Sequence, residues 1–169
     1  MELTYEEGAM ADVQQLKELG IIAYSEFEKA LTPDNWAVLN ANLHNEKKLQ
    51  CVIEISTIFI CKQNDKIIGA AYLVPSGNPT DIYPADWSYI RMVGVHPGYR
   101  GNGISKQLTS QCIAQAKAKG EHTIGLHTSE IMNTARHIYE SLGFRIFKEI
   151  DPIFGVKYWL YKLELNDTN

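Results

Sequence analysis

Arg91-Met92-Val93-Gly94-Val95-His96-Pro97-Gly98-Tyr99-Arg100-Gly101-Asn102-Gly103-Ile104-Ser105-Lys106 is the stretch whose reading decides the fold. It opens as an apolar strand, passes through a short turn dense in glycine, and continues as a helix to about Lys119. The first N–H groups of a helix have no intrahelical partner, and the helix dipole adds partial positive charge there, so this junction suits an anion. Gly101 and Gly103 carry no Cβ, which lets the chain turn tightly and lets a phosphate come close to the backbone. Arg100 adds a cation with a planar donor fork at the same point.

Spacing narrows the choice of phosphate. A dinucleotide-binding fingerprint would need glycine at positions 101, 103 and 106, but Lys106 stands at the last. A Walker A loop beginning at Gly98 would need a lysine directly after Gly103, where the chain has Ile104. A nucleotide-binding protein is disfavoured on both counts.

Outward from this stretch the chain alternates strands and helices. Toward the N-terminus, Leu3-Thr4-Tyr5 reads as a short strand. Val13, Leu16, Leu19, Ala23 and Phe27 recur at helical steps, with Gly20 expected to interrupt or bend that helix. Thr32-Pro33-Asp34 is a helix start, followed by Trp36, Leu39 and Leu43 as its expected buried stripe. Glu46-Lys47-Lys48 reads as a solvated charged stretch. Ser56 to Cys61 and Lys66 to Val74 are β-rich runs joined by Gln63-Asn64-Asp65, a hairpin signal, and the segment from Pro75 to Pro84 is a loop. Trp87 to Val95 forms the strand that enters the glycine turn. Beyond the turn, Ile104, Leu108, Cys112 and Ala116 make the buried face of a helix that stops at Gly120. His122 to His127 is a strand, Asn133 to Leu142 a short helix ending at Gly143, and Phe144 to Ile150 and Val156 to Leu165 are two final strands. That order defines one mixed α/β sheet in a single domain over residues 1–169.

Composition is that of an ordinary globular chain: 169 residues, 45% apolar and 21% charged. A net charge of −4 without a basic run argues against nucleic acid or an anionic membrane as partner, and steers weakly toward cationic acceptors. No apolar run approaches the ~20 residues of a membrane span, and no signal peptide opens the chain. Cys51, Cys61 and Cys112 are widely spaced and odd in number, as expected of reduced thiols in a cytoplasmic protein. The histidines His96, His122, His127 and His137 are not spaced as a metal set.

Arg100-Gly101-Asn102-Gly103-Ile104-Ser105 resembles motif A of the GNAT superfamily of N-acetyltransferases, Arg/Gln-x-x-Gly-x-Gly/Ala, with Ser105 replacing the final small residue. Asn133-Thr134-Ala135-Arg136-His137-Ile138-Tyr139-Glu140-Ser141-Leu142-Gly143-Phe144 resembles motif B of the same family. The resemblance implies the GNAT fold, a mixed and mostly antiparallel sheet of about seven strands flanked by helices. It also implies acetyl-CoA as cosubstrate and no metal. By motif position the pyrophosphate would meet Arg100, Gly101, Asn102, Gly103, Ile104 and Ser105. The pantetheine arm would meet the main chain of Met92, Val93, Gly94 and Val95 and the side chain of Asn133.

The chemistry implied is direct attack of a primary amine, of a small molecule or a peptide, on the acetyl carbonyl within a ternary complex. Tyr139 would be the catalytic group, donating to the departing sulfur. A free phenol titrates near ~10 and a free thiol near ~8.5, so Tyr139 is expected to act first as a hydrogen-bond donor. Many family members place a glutamate early on the strand before motif A, but Tyr89 occupies that position here. Asp86, Glu130, Glu26, His127 or a water chain remain as candidates for the base. Tyr24, Trp36, Trp87 and Phe154 fall where walls of an acceptor pocket are expected. Rival readings are transfer of another acyl group and a CoA-binding sensor without turnover. The resemblance also admits a homodimer.

Overall fold

A computed structural model describes residues 2–165. The chain runs β1 (Thr4–Glu7), α1 (Val13–Tyr24), α2 (Pro33–Leu43), α3 (Glu46–Ile55), β2 (Thr57–Gln63), β3 (Lys66–Val74) and β4 (Ser88–Val95). It continues with α4 (Ile104–Ala118), β5 (Thr123–Ser129), α5 (Asn133–Ser141), β6 (Arg145–Ile153) and β7 (Val156–Glu164). The strands form one seven-stranded sheet in the order β1-β2-β3-β4-β5-β7-β6. Every pairing is antiparallel except β4 with β5.

The alternation of side chains along the strands gives the sheet two apolar faces. On one, Ile68, Ile90, Ile124 and Leu126 pack beneath α4 and α5, which contribute Ile104, Leu108, Cys112 and Tyr139. On the other, Ile58, Ile60 and Tyr72 meet Leu16 and Leu19 of α1 and Leu49 and Ile53 of α3. A third cluster, Val74, Tyr83, Trp87, Tyr89 and Leu160, closes one end. Trp87 lies so close over the sheet there that a Cβ on Gly125 would stand 2.8 Å from its Cε3.

The first helices differ from the expectations set by sequence. Gly20 does not interrupt α1, which runs through it from Val13 to Tyr24; the cost of glycine in a helix is ~1 kcal/mol, which the packing of Leu16, Leu19 and Ala23 exceeds. Thr32 does cap α2, its Oγ1 accepting from the Asn35 N–H at 3.2 Å, with Pro33 in the first turn. Trp36, Leu39 and Leu43, however, are only partly buried, because α2 lies against the rim of a cleft rather than over the sheet. Glu46-Lys47-Lys48 is the first turn of a helix, α3, whose start is capped by Asn45 Oδ1 accepting from the Lys48 N–H at 3.0 Å. Among the described residues no helix is long and apolar enough to cross a membrane.

Candidate active site

The site grows from an interruption in the sheet. β4 and β5 pair only at Ser88 with Ile124 and Tyr89 with Gly125, and from there the two strands part. A bulge in β4 follows the separation: the three residues Ala70 to Tyr72 of β3 oppose the four from Gly94 back to Arg91, and Met92 takes the left-handed conformation with φ 58°. Ile90 to Val95 on one side and Leu126 to Thr128 on the other therefore line a cleft of about 990 Å³.

Helix α1 closes against this segment from above. Its end approaches so near that a Cβ on Gly94 would lie 3.3 Å from that of Ala23. Tyr24 fixes the approach, its hydroxyl donating to the Val93 carbonyl at 2.9 Å. Burial pushes the Tyr24 phenol up to about 12, so it keeps its proton for that bond.

The glycine turn lies at the other end of the cleft. A short turn at Pro97–Tyr99 is held by the Gly98 N–H donating to His96 Nδ1 at 3.0 Å. Gly101 and Gly103 follow in the left-handed region, φ 84° and 73°. A Cβ at either position would meet nothing within 4 Å, so the turn faces open space. Among the described residues no side chain caps the start of α4. A left-handed turn with room above it and an uncapped helix start behind it fits a pyrophosphate.

The structure brings most of the expected site residues to this one cleft. Met92, Val93, Gly94, Val95, Arg100, Gly101, Gly103, Ile104, Ser105, Asn133 and Tyr139 all line it. Asn102 does not; its side chain turns back to donate to the Tyr99 carbonyl at 2.8 Å. Arg100 lines the cleft, but its fork is directed to α1: Nη1 meets Glu26 Oε2 at 3.0 Å and Nη2 donates to the Ala23 carbonyl at 3.0 Å. Asn133 is the first residue of α5 and is exposed, while Met132 holds the cap position without a side-chain bond. Asn133 is therefore not spent as a helix cap.

Tyr139 sits on the buried face of α5, edge-on to Phe144, with its ring at the cleft. Burial raises its phenol well above the ordinary range, and the neighbouring Tyr24 and Cys112 add to the shift. A phenol so shifted is a donor that does not release its proton.

The candidate bases fare differently. Asp86 and Glu130 are exposed and do not line the cleft. Glu26 does, but it is held by Arg100. His127 lines the cleft, with Nδ1 2.6 Å from the Tyr83 hydroxyl. Burial, helped by the positive charge of Arg91, pushes its imidazole down to about 4. Tyr89, at the position of the expected glutamate, is buried, stacks on Tyr83 at 4.0 Å and donates to the Asn78 carbonyl at 2.8 Å. Of the expected aromatic walls, Tyr24 and Phe154 line the cleft, whereas Trp36 and Trp87 do not. Tyr158 and Arg91 also line it and had no motif to announce them. Burial raises the pKa of the Cys61 and Cys112 thiols, which leaves them inert as nucleophiles.

A mixed sheet split between two parallel strands, with a glycine turn and helix start at the opening, is the architecture of an acyltransferase family. Residues 21–144 match the family model for the acetyltransferase (GNAT) family, and the chain belongs to that family. It is similar to N-alpha-acetyltransferase 30 of Schizosaccharomyces pombe, 30% identical over 113 residues that cover 66% of this chain and 65% of that one. It is also similar to the L-amino acid N-acyltransferase MnaT of Escherichia coli, 31% identical over 70 residues, 40% of each chain. The chain thus spans less than two thirds of the length of these curated relatives. In fold it is similar to the PaiA N-acetyltransferase of Thermoplasma acidophilum solved in complex with coenzyme A, at TM-score 0.79 and 14% identity over 97% of this chain and 99% of that one.

Proposed function

We propose that this protein is an acetyl-CoA-dependent N-acetyltransferase that acts by direct attack of a primary amine on the thioester. The observation that carries the reading is the shared cleft: the open glycine turn, the parted edge of β4 and the Tyr139 ring all face one space. Coenzyme A is bound by the structurally similar PaiA protein, and both curated relatives are acyl-transfer enzymes by name.

In this reading the turn at Gly101–Gly103 and the start of α4 receive the pyrophosphate, and unpaired main-chain groups of β4 receive the pantetheine arm. The amine nitrogen forms a bond to the acetyl carbon and the C–S bond breaks. The nitrogen gives up its proton to water and the thiolate gains one, with Tyr139 supplying a hydrogen bond to the sulfur as charge develops. With no free carboxylate at the cleft among the described residues, the amine must arrive neutral or lose its proton to solvent. That favours acceptors whose amines titrate near ~8 over lysine-like amines near ~10.4.

The absence of a free carboxylate at the cleft among the described residues supports a second reading, an acyl-CoA-binding module without turnover. Two measurements separate them: calorimetric titration with acetyl-CoA, and thiol release across polyamines, aminoglycosides, amino acids and peptides. Binding with thiol release for one acceptor class establishes the enzyme. Binding without release for any class favours the module.

A further inference from the structure

Arg91 is the residue of the cleft that this reading leaves unused. Ile90 belongs to the core beneath α4, so Arg91, its neighbour on the strand, projects to the opposite face, where α1 and the acceptor side of the cleft lie. It is partly buried. Among the described residues it forms no salt bridge. The other cations on that side are engaged: Arg100 with Glu26 at 3.0 Å, Lys17 with Glu46 at 3.7 Å, and Lys48 with Asn42 Oδ1 at 3.0 Å. Lys106 stands at the start of α4, on the side of the glycine turn.

A guanidinium taken out of bulk water without an anion is an unfavourable arrangement unless something else supplies the charge. On the sheet Arg91 stands opposite Tyr72, which belongs to the α1 face, and it lines the cleft together with Tyr24, His127 and Tyr158; its positive charge is felt at Tyr24 and His127. Among the described residues the single carboxylate lining the cleft, Glu26, is already paired. The acceptor side therefore offers a cation and no anion. The overall acidic charge of the chain suggested cationic acceptors, but the local charge is opposite.

We propose that the acceptor is a small amino carboxylate, an α-amino acid with an uncharged side chain, whose carboxylate is held by the Arg91 fork. This rests on the N-acetyltransferase reading above. A planar guanidinium matches a carboxylate with two parallel hydrogen bonds. Arg91 immediately precedes the bulged Met92–Val93 segment, whose main chain receives the pantetheine arm in that reading, so an anion it holds stands beside that arm. Tyr24, Phe154 and Tyr158 provide apolar surface for the side chain. The pairing has a chemical consequence. In a free amino acid the carboxylate favours the charged ammonium; once that carboxylate is paired with Arg91, the effect is offset, and burial further disfavours the ammonium. Arg91 thus binds the acceptor and eases loss of its proton without touching it. The products are an N-acetyl amino acid and CoA.

The test compares phenylalanine, leucine and methionine with their carboxamides and with spermidine, in the wild-type protein and in R91Q and R91K. The wild-type protein is expected to favour each acid over its amide by at least tenfold in kcat/KM, with the difference carried mainly by KM. R91Q is expected to reduce that preference to within a few-fold, with R91K between the two, while acetyl-CoA affinity measured by calorimetry stays unchanged. Turnover of spermidine or of the amides equal to that of the acids overturns the amino-acid acceptor but leaves the N-acetyltransferase reading intact. An unchanged acid preference in R91Q also overturns it. Failure of acetyl-CoA to bind the wild-type protein overturns both.

Discussion

The hydroxyl of Tyr83 lies 2.6 Å from Nδ1 of His127, and the two rings are tilted at 52° with centroids 5.7 Å apart. Tyr83 comes from the loop before β4 and His127 from β5, so this bond ties that loop to β5 at the cleft. Burial, helped by the positive charge of Arg91, holds His127 neutral with its pKa pushed down to about 4.

Acid should therefore weaken the fold through this residue. A histidine depressed from 6.5 to about 4 binds a proton more readily in the unfolded chain. Its stabilising contribution is complete above pH ~6.5 and is lost as pH falls toward about 4, on the order of 2–3 kcal/mol. Urea midpoints of the wild-type protein and of H127Q, measured at pH 7, 5.5 and 4.5, are expected to show a smaller acid loss in the variant. Parallel loss in both would exclude His127 as a source.

The same depression removes His127 as a general base near neutral pH, because its conjugate acid is far stronger than any ammonium it would deprotonate. The rising limb of the pH profile of kcat/KM is then expected to follow the acceptor's own amine. Two acceptors that differ by about one pKa unit should give limbs displaced by about the same amount. A limb fixed at one pH for both would reveal an enzyme base.

Tyr139→Phe removes the hydroxyl and keeps the ring against Phe144. Turnover is expected to fall by roughly 10- to 100-fold, with acetyl-CoA affinity changed by no more than a few-fold. Equal turnover in variant and wild type would assign Tyr139 to packing alone.

Gly103→Ala places a side chain at φ 73° where no protein atom crowds it. The strain is that of the left-handed backbone, about 1–2 kcal/mol, a loss of a few degrees in Tm. The added methyl also enters the space above the turn, so acetyl-CoA affinity is expected to drop by much more than stability does. Calorimetric titration and thermal melts of the same sample distinguish the two effects.

Much of this was legible in local sequence. The strand, glycine turn and helix around Arg100–Ser105 follow from residues adjacent in the chain, and so do the hairpin at Asn64 and the helix stops at Gly120 and Gly143. Helix α3 was hidden behind a charged opening turn, although Asn45 followed by Leu49 and Ile53 at a four-residue step carried its signature. The partial burial of Trp36, Leu39 and Leu43 depends on what α2 lies against, which no periodicity within α2 can state. Arg91 was in plain view, but its role depends on which acids come near it after folding. The turn of the Arg100 fork toward Glu26 joins groups 74 residues apart and has no sequence signal.

The parting of β4 from β5 also bears on how this protein avoids its own kind. A strand with unsatisfied backbone groups is a template for another chain, and many proteins guard such edges with charge, proline or bulges. Here the exposed template lies inside the molecule, with α1 against one side and α4 and α5 across the other face. An approaching strand of another chain would have to displace these helices to pair with it. The protein thus withholds an adhesive edge from aggregation without spending proline on it.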